Sequence, residues 1–191
     1  MNIRRSFRRH RRSLGGGTFL LGVAILFAVV CSPLAVRASV AGKQLPIYCV
    51  QRDDKCVSLT FDAAWGNEDT QTLIDILGKY NVRATFFVVG AWVDKYPESV
   101  KALAGAGHEV MSHSDDHAHF SQLTSAQITE NRGACNDKIE AVTGVRPTLF
   151  RCPYGEYDDH VIEAVNSMGM HAIQWDVEAC VTGSSPCAAR A

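Results

Sequence analysis

From residue 57 to residue 175 short apolar runs alternate with longer segments of helical periodicity, which restricts the chain to folds whose strands are joined by crossover helices. Residues 57–61 form the first strand-like run. Residues 67–80 follow, with Leu73, Ile74, Ile76 and Leu77 at helical spacing after a polar start. The continuous apolar and β-branched run 84–89 has the composition of a strand buried on both faces. A helix over 96–106 closed by Gly107, a strand over 108–111, and a helix over 124–142 capped by Thr124 and closed by Gly144 come next. Leu149 and Phe150 begin another strand, 158–168 another helix, and 171–175 a further strand. The pattern predicts an α/β fold built on a parallel sheet or barrel. Residues 39–54 read as a polar linker in which 46–50 is a candidate edge strand.

In such folds working residues gather where strands end and loops begin. Asp62, His113, Arg151 and Trp175 all take that position in this assignment. His113 and His117 lie four residues apart. On a helix that spacing puts both rings on one face, and in a loop a turn brings them together, so either geometry can close on one metal ion. Taken alone, an HxxxH pair is more often two surface histidines with solvated neighbours such as Asp115, Asp116 and His119. The carboxylate ending the run Thr60-Phe61-Asp62 and the stretch Arg151-Cys152-Pro153-Tyr154-Gly155 shift the balance towards a site.

The formal net charge of -1 conceals an asymmetry. Arg4, Arg5, Arg8, Arg9, Arg11 and Arg12 precede the apolar run 18–30, whereas all 20 Asp and Glu follow residue 50. From residue 39 onward 12 Lys and Arg oppose those 20 acids, a balance of -8 that argues against nucleic acid as a partner. The basic leader and its apolar core, residues 1–38, read as a signal peptide or signal anchor, with the anchor favoured, and place the remainder outside the cytoplasm. Six of the seven cysteines lie beyond the leader without any CxxC spacing. An exported domain permits disulfides, but this scatter fixes no pairing.

Four stretches together resemble the polysaccharide deacetylases, the NodB-like group of carbohydrate esterase family 4. They are Thr60-Phe61-Asp62, His113-Ser114-x-x-His117, Arg151-x-Pro153-Tyr154-Gly155 and the strand ending at Trp175, with Ala84-Thr85-Phe86-Phe87 and Gly107-His108-Glu109-Val110 as matching connecting text. The resemblance implies a deformed (β/α) barrel and a divalent metal, usually zinc. It implies Asp62 as general base, Arg151 as the partner that keeps it ionised, and His113 and His117 as metal ligands. Pro153, Tyr154, Gly155 and Trp175 would bound the substrate, with a rim amide for the oxyanion and an apolar wall for the acetyl methyl. The implied partner is an N-acetylated polysaccharide, peptidoglycan or chitin-like, met by a monomeric domain spanning 55–191.

The chain departs from the family twice. A second aspartate usually follows the base and completes an Asp-His-His triad, and here that position is Ala63. The metal would then be held by two histidines plus water, or by a substitute such as Asn67, Glu68 or Asp69 from the next turn. The wording Thr-Phe-Asp-Ala-Ala-Trp-Gly at 60–66 is similar to a sporulation-associated branch that shares this replacement. The family also continues into further strands and a histidine that acts as general acid. The tail 180–187 lacks that pattern, so the expectation is a barrel missing its last strands.

Overall fold

Five parallel strands run side by side in chain order: β1 (Thr60–Ala63), β2 (Thr85–Val88), β3 (Glu109–Ser112), β4 (Leu149–Phe150) and β5 (His171–Ala172). The computed structural model describes residues 42–178, so the leader, the tail at 180–187, and Cys31, Cys180 and Cys187 lie outside the described residues. Helices α1 (Thr70–Lys79), α2 (Gly90–Lys95), α3 (Pro97–Gly105), α4 (Ser125–Thr143) and α5 (Asp159–Ser167) connect the strands. The parallel α/β sheet is the one the alternation predicts. Among the described residues β1 pairs only with β2.

The strands form where both faces can be covered. Every residue of β2 is buried, in keeping with its unbroken apolar sequence. One core packs β1, β2 and β3 against α1, α2 and α3 through Phe86, Val88, Trp92, Val100 and Leu103. A second packs β4 and β5 against α5 through Phe120, Phe150, Val161 and Val165. Helix α4 shows its ends most plainly in sequence. The Thr124 hydroxyl accepts the Gln127 N–H while the Gln127 side chain accepts the Thr124 N–H, and Gly144 stops the helix at φ 74°.

The boundaries differ where local sequence underdetermines them. Strand β1 begins at Thr60 because its neighbour β2 begins at Thr85, opposite it in register, and Val57, included in the expected strand, is 89% exposed. The six-residue α2 was not expected, since a single turn and a half shows no periodicity. The expected edge strand at 46–50 is a single bridge, with the Ile47 N–H donated to the Ala172 carbonyl at 2.8 Å and the Gln174 N–H to the Ile47 carbonyl at 2.8 Å.

Candidate active site

Parallel pairing puts the carboxyl ends of all strands on one edge of the sheet. Asp62 is the penultimate residue of β1, His113 directly follows β3, Arg151 directly follows β4 and Trp175 lies three residues past β5. The structure therefore brings the sequence-predicted residues to one place. Arg151, 3% exposed, donates from Nη1 to Asp62 Oδ1 at 2.7 Å and from Nη2 to Thr60 Oγ1 at 2.9 Å. Its guanidinium sits 4.2 Å from the centre of the Phe87 ring, which faces Asp62 across the β1–β2 register. Two hydrogen bonds and a ring beneath fix the plane of the cation, and so the direction of the carboxylate.

The second Asp62 oxygen faces His113, whose Nε2 is 3.8 Å from Oδ2. The buried His113 ring lies with Nδ1 2.9 Å from the Arg151 carbonyl. A carbonyl only accepts, so Nδ1 carries the proton and Nε2 keeps its lone pair for another partner. His117 comes back over His113, with ring centres 5.0 Å apart. The spacing closes through a loop, which settles the choice between helix and loop. Ser114 and His117 adopt φ 74° and 60°, and the Ser114 hydroxyl accepts the His117 N–H at 2.8 Å.

That loop is fastened to the helices around it. Ser114 and Asp115 accept the N–H groups of Gly90 and Ala91 at 2.9 and 2.8 Å, and the Asn131 side chain accepts the Asp115 N–H and donates to Asp116. Burial pushes both histidines below their ordinary range, against the nearby charge of Asp62, which favours neutral rings with free nitrogen lone pairs. His117 Nδ1 is itself buried without a partner. Two neutral imidazoles, each with an uncommitted ring nitrogen, fit a divalent metal such as zinc.

The expected substitutes for Ala63 do not join them. The Asn67 side chain donates to Ser99 at 3.0 Å, and Glu68 accepts the neighbouring Asn67 N–H at 2.9 Å, so both serve the turn into α1. Among the described residues no group of three His, Cys, Asp or Glu side chains is arranged to hold a metal. Ala63 instead lines a cavity of about 240 Å³ together with Asp62, Trp65, Glu68, Phe86 and Trp92.

On the other flank Pro153 is buried and Tyr154, 55% exposed, adopts φ 58°. Its ring meets His117 edge-on at 4.5 Å and stacks on His119 at 4.2 Å, and His119 Nδ1 lies 2.9 Å from Glu156. Gly155 gives its N–H to the Cys152 carbonyl at 3.1 Å, so that amide is committed to the turn. A Cβ on Gly155 would stand 2.9 Å from the Trp175 ring, which is half-buried and 5.7 Å from the Arg151 guanidinium carbon. Burial pushes the Cys152 thiol up to about 12, so it stays protonated beside the site.

Sequence reasoning missed Thr60, Phe87 and the His119–Glu156 pair. Thr60 was legible in principle, since it lies two residues before Asp62 on the same strand face. Phe87 becomes visible only through inter-strand register.

The family model for polysaccharide deacetylases matches residues 50–173. The chain belongs to the polysaccharide deacetylase family. Among its family relatives in Bacillus subtilis, YlxY, described as uncharacterized, is 36% identical over 133 residues, covering 70% of this chain and 42% of YlxY. PdaC of the same organism, named a peptidoglycan-N-acetylmuramic acid deacetylase, is 36% identical over 129 residues, covering 68% of this chain and 27% of PdaC. The solved structure of BA3943 from Bacillus anthracis, described as a pseudoenzyme of carbohydrate esterase family 4, superposes with a TM-score of 0.66 at 35% identity over 69% of this chain and 47% of that one. A BA3943 mutant described as having restored enzymatic activity has the same TM-score at 37% identity. The chain thus spans less than half the length of each of these relatives.

Proposed function

We propose that this chain is a metal-dependent N-deacetylase that hydrolyses N-acetyl groups on a cell-wall or related aminoglycan, peptidoglycan or a chitin-like polymer. The observation that carries this reading is the Asp62 carboxylate, oriented by Arg151 at 2.7 Å and facing the His113 lone pair at 3.8 Å. Zinc held by His113 and His117 would polarise the acetyl carbonyl and lower the pKa of water. Asp62 is the base: with Oδ1 tied to Arg151, Oδ2 is the oxygen that takes a proton from the attacking water. That water adds to the acetyl carbon and the carbon–nitrogen bond breaks. The proton on Asp62 then serves the departing amine, and acetate is the second product. In this reading a rim amide at Tyr154–Gly155 donates to the oxyanion, Trp175 forms the apolar wall for the acetyl methyl, and Pro153, Tyr154 and Gly155 bound the substrate.

In the same reading residues 1–38 are a signal peptide or anchor, 39–54 a linker, and 55 onward a monomeric catalytic domain outside the cytoplasm. The wording at 60–66, similar to a sporulation-associated branch, goes with this reading, in which Ala63 is a trait of that branch. Ala63 and the likeness to a family pseudoenzyme favour a second reading, an envelope glycan-binding protein with impaired catalysis. Asp62→Asn separates the two. Under the first reading it abolishes acetate release with metal content unchanged. Under the second, acetate release is absent in both proteins and glycan binding is equal.

A further inference from the structure

Trp65 is 82% exposed, an unusual setting for so large an aromatic ring. The turn that displays it is nonetheless built. Trp92, 3% exposed, donates its indole N–H to the Gly66 carbonyl, and Asn67 donates to Ser99 at 3.0 Å. Gly66 has φ 57°, a left-handed conformation that glycine adopts without strain. The backbone that carries the exposed indole is therefore anchored to the core.

The Trp65 ring centre lies 5.7 Å from His117 at an interplanar angle of 58°. Tyr154 meets the same imidazole at 4.5 Å, and its ring is fixed by the stack on His119. One imidazole of the candidate site thus has two exposed aromatic rings as neighbours. The apolar faces of pyranose rings pack on aromatic faces, and such contacts orient a ligand while leaving its hydroxyls in water. We infer that Trp65 and Tyr154 are two sugar-stacking surfaces that hold a glycan of at least two consecutive sugars across His117, so that the protein selects polymer over monosaccharide. This rests on the glycan-directed reading above and adds a specificity residue, Trp65, to it.

The test measures binding of N-acetylglucosamine and of tetra-N-acetylchitotetraose to the full chain by calorimetry, using wild type, Trp65→Ala and Trp65→Phe. Circular dichroism confirms folding, which an exposed side chain should not disturb. Trp65→Ala is expected to weaken the tetrasaccharide about tenfold and leave the monosaccharide unchanged, with Trp65→Phe keeping most of the affinity. Equal tetrasaccharide affinity in wild type and Trp65→Ala overturns the inference alone. A wild type that binds neither sugar overturns it together with the glycan-directed reading. Trp65-dependent binding without acetate release upholds the inference and counts only against catalysis.

Discussion

Gly90 opens α2 at the point where the histidine loop crosses it, and replacing it with alanine tests how rigidly that loop must be held. A Cβ at this position would overlap Asp115 Oδ1 and stand 3.1 Å from the backbone of the same residue. The carboxylate cannot simply swing away, because Lys138 holds the same oxygen at 2.7 Å, and the backbone of Asp115 has no rotamer to change. The loop must move, weakening the hydrogen bonds from Gly90 to Ser114 and from Ala91 to Asp115. Overpacking of this kind costs about 1–3 kcal/mol, and the better helix propensity of alanine returns at most about 1 kcal/mol. A net loss of about 1–2 kcal/mol in urea unfolding is the expectation. Because the displaced loop carries both His113 and His117, zinc affinity in a chelator-competition titration should fall by about tenfold or more. Gly133→Ala is the control. It lies within α4 with nothing within 4 Å of the added carbon, and should raise stability by about 0.5–1 kcal/mol without touching metal binding. A Gly90→Ala protein with wild-type stability and zinc affinity would refute the account of how the loop is positioned.

Arg132 is fully buried with its Nη1 donated to the Val165 carbonyl at 3.1 Å, while Nε and Nη2 lack partners and burial lowers its pKa to about 10. Arg132→Met should raise stability by about 1–4 kcal/mol, since an apolar chain fits beside Phe150 without a desolvated charge; an unchanged or lower melting temperature contradicts this. Burial likewise pushes Cys135 up to about 11 and Cys152 up to about 12. Peptide mapping after iodoacetamide treatment at pH 8 should find Cys49 and Cys56, which are exposed, modified and the buried pair intact; rapid labelling of Cys152 would show the second core to be open. Ala63→Asp puts a carboxylate at the rim of the cavity beside Asp62 and should tighten zinc by about tenfold or more, whereas unchanged affinity would mean that β1 aims this position away from the histidines.

The elements that were legible in sequence are those whose information is local. Thr124 and Gly144 announce both ends of α4, and the uninterrupted apolar run around Phe86 and Phe87 announces a doubly covered strand. Strand ends then follow, and with them the meeting of Asp62, His113 and Arg151. What escaped depends on neighbours. Thr60 replaces Val57 as the start of β1 only because β2 begins opposite it, and Phe87 lies under Arg151 only through register. The conformation of the HxxxH segment escaped for the same reason, since its loop is held by Gly90 and Asn131 from two different helices. The buried Arg132 had no signal either, because helical periodicity does not reveal which charged residue is turned inward.

Acetate release by the full chain from N-acetylated peptidoglycan and from chitooligosaccharides, with added zinc and then with chelator, tests the central claim most directly. The account predicts release that requires zinc, stops with chelator and returns when zinc is restored. Absence of release from folded protein that has bound zinc would contradict it.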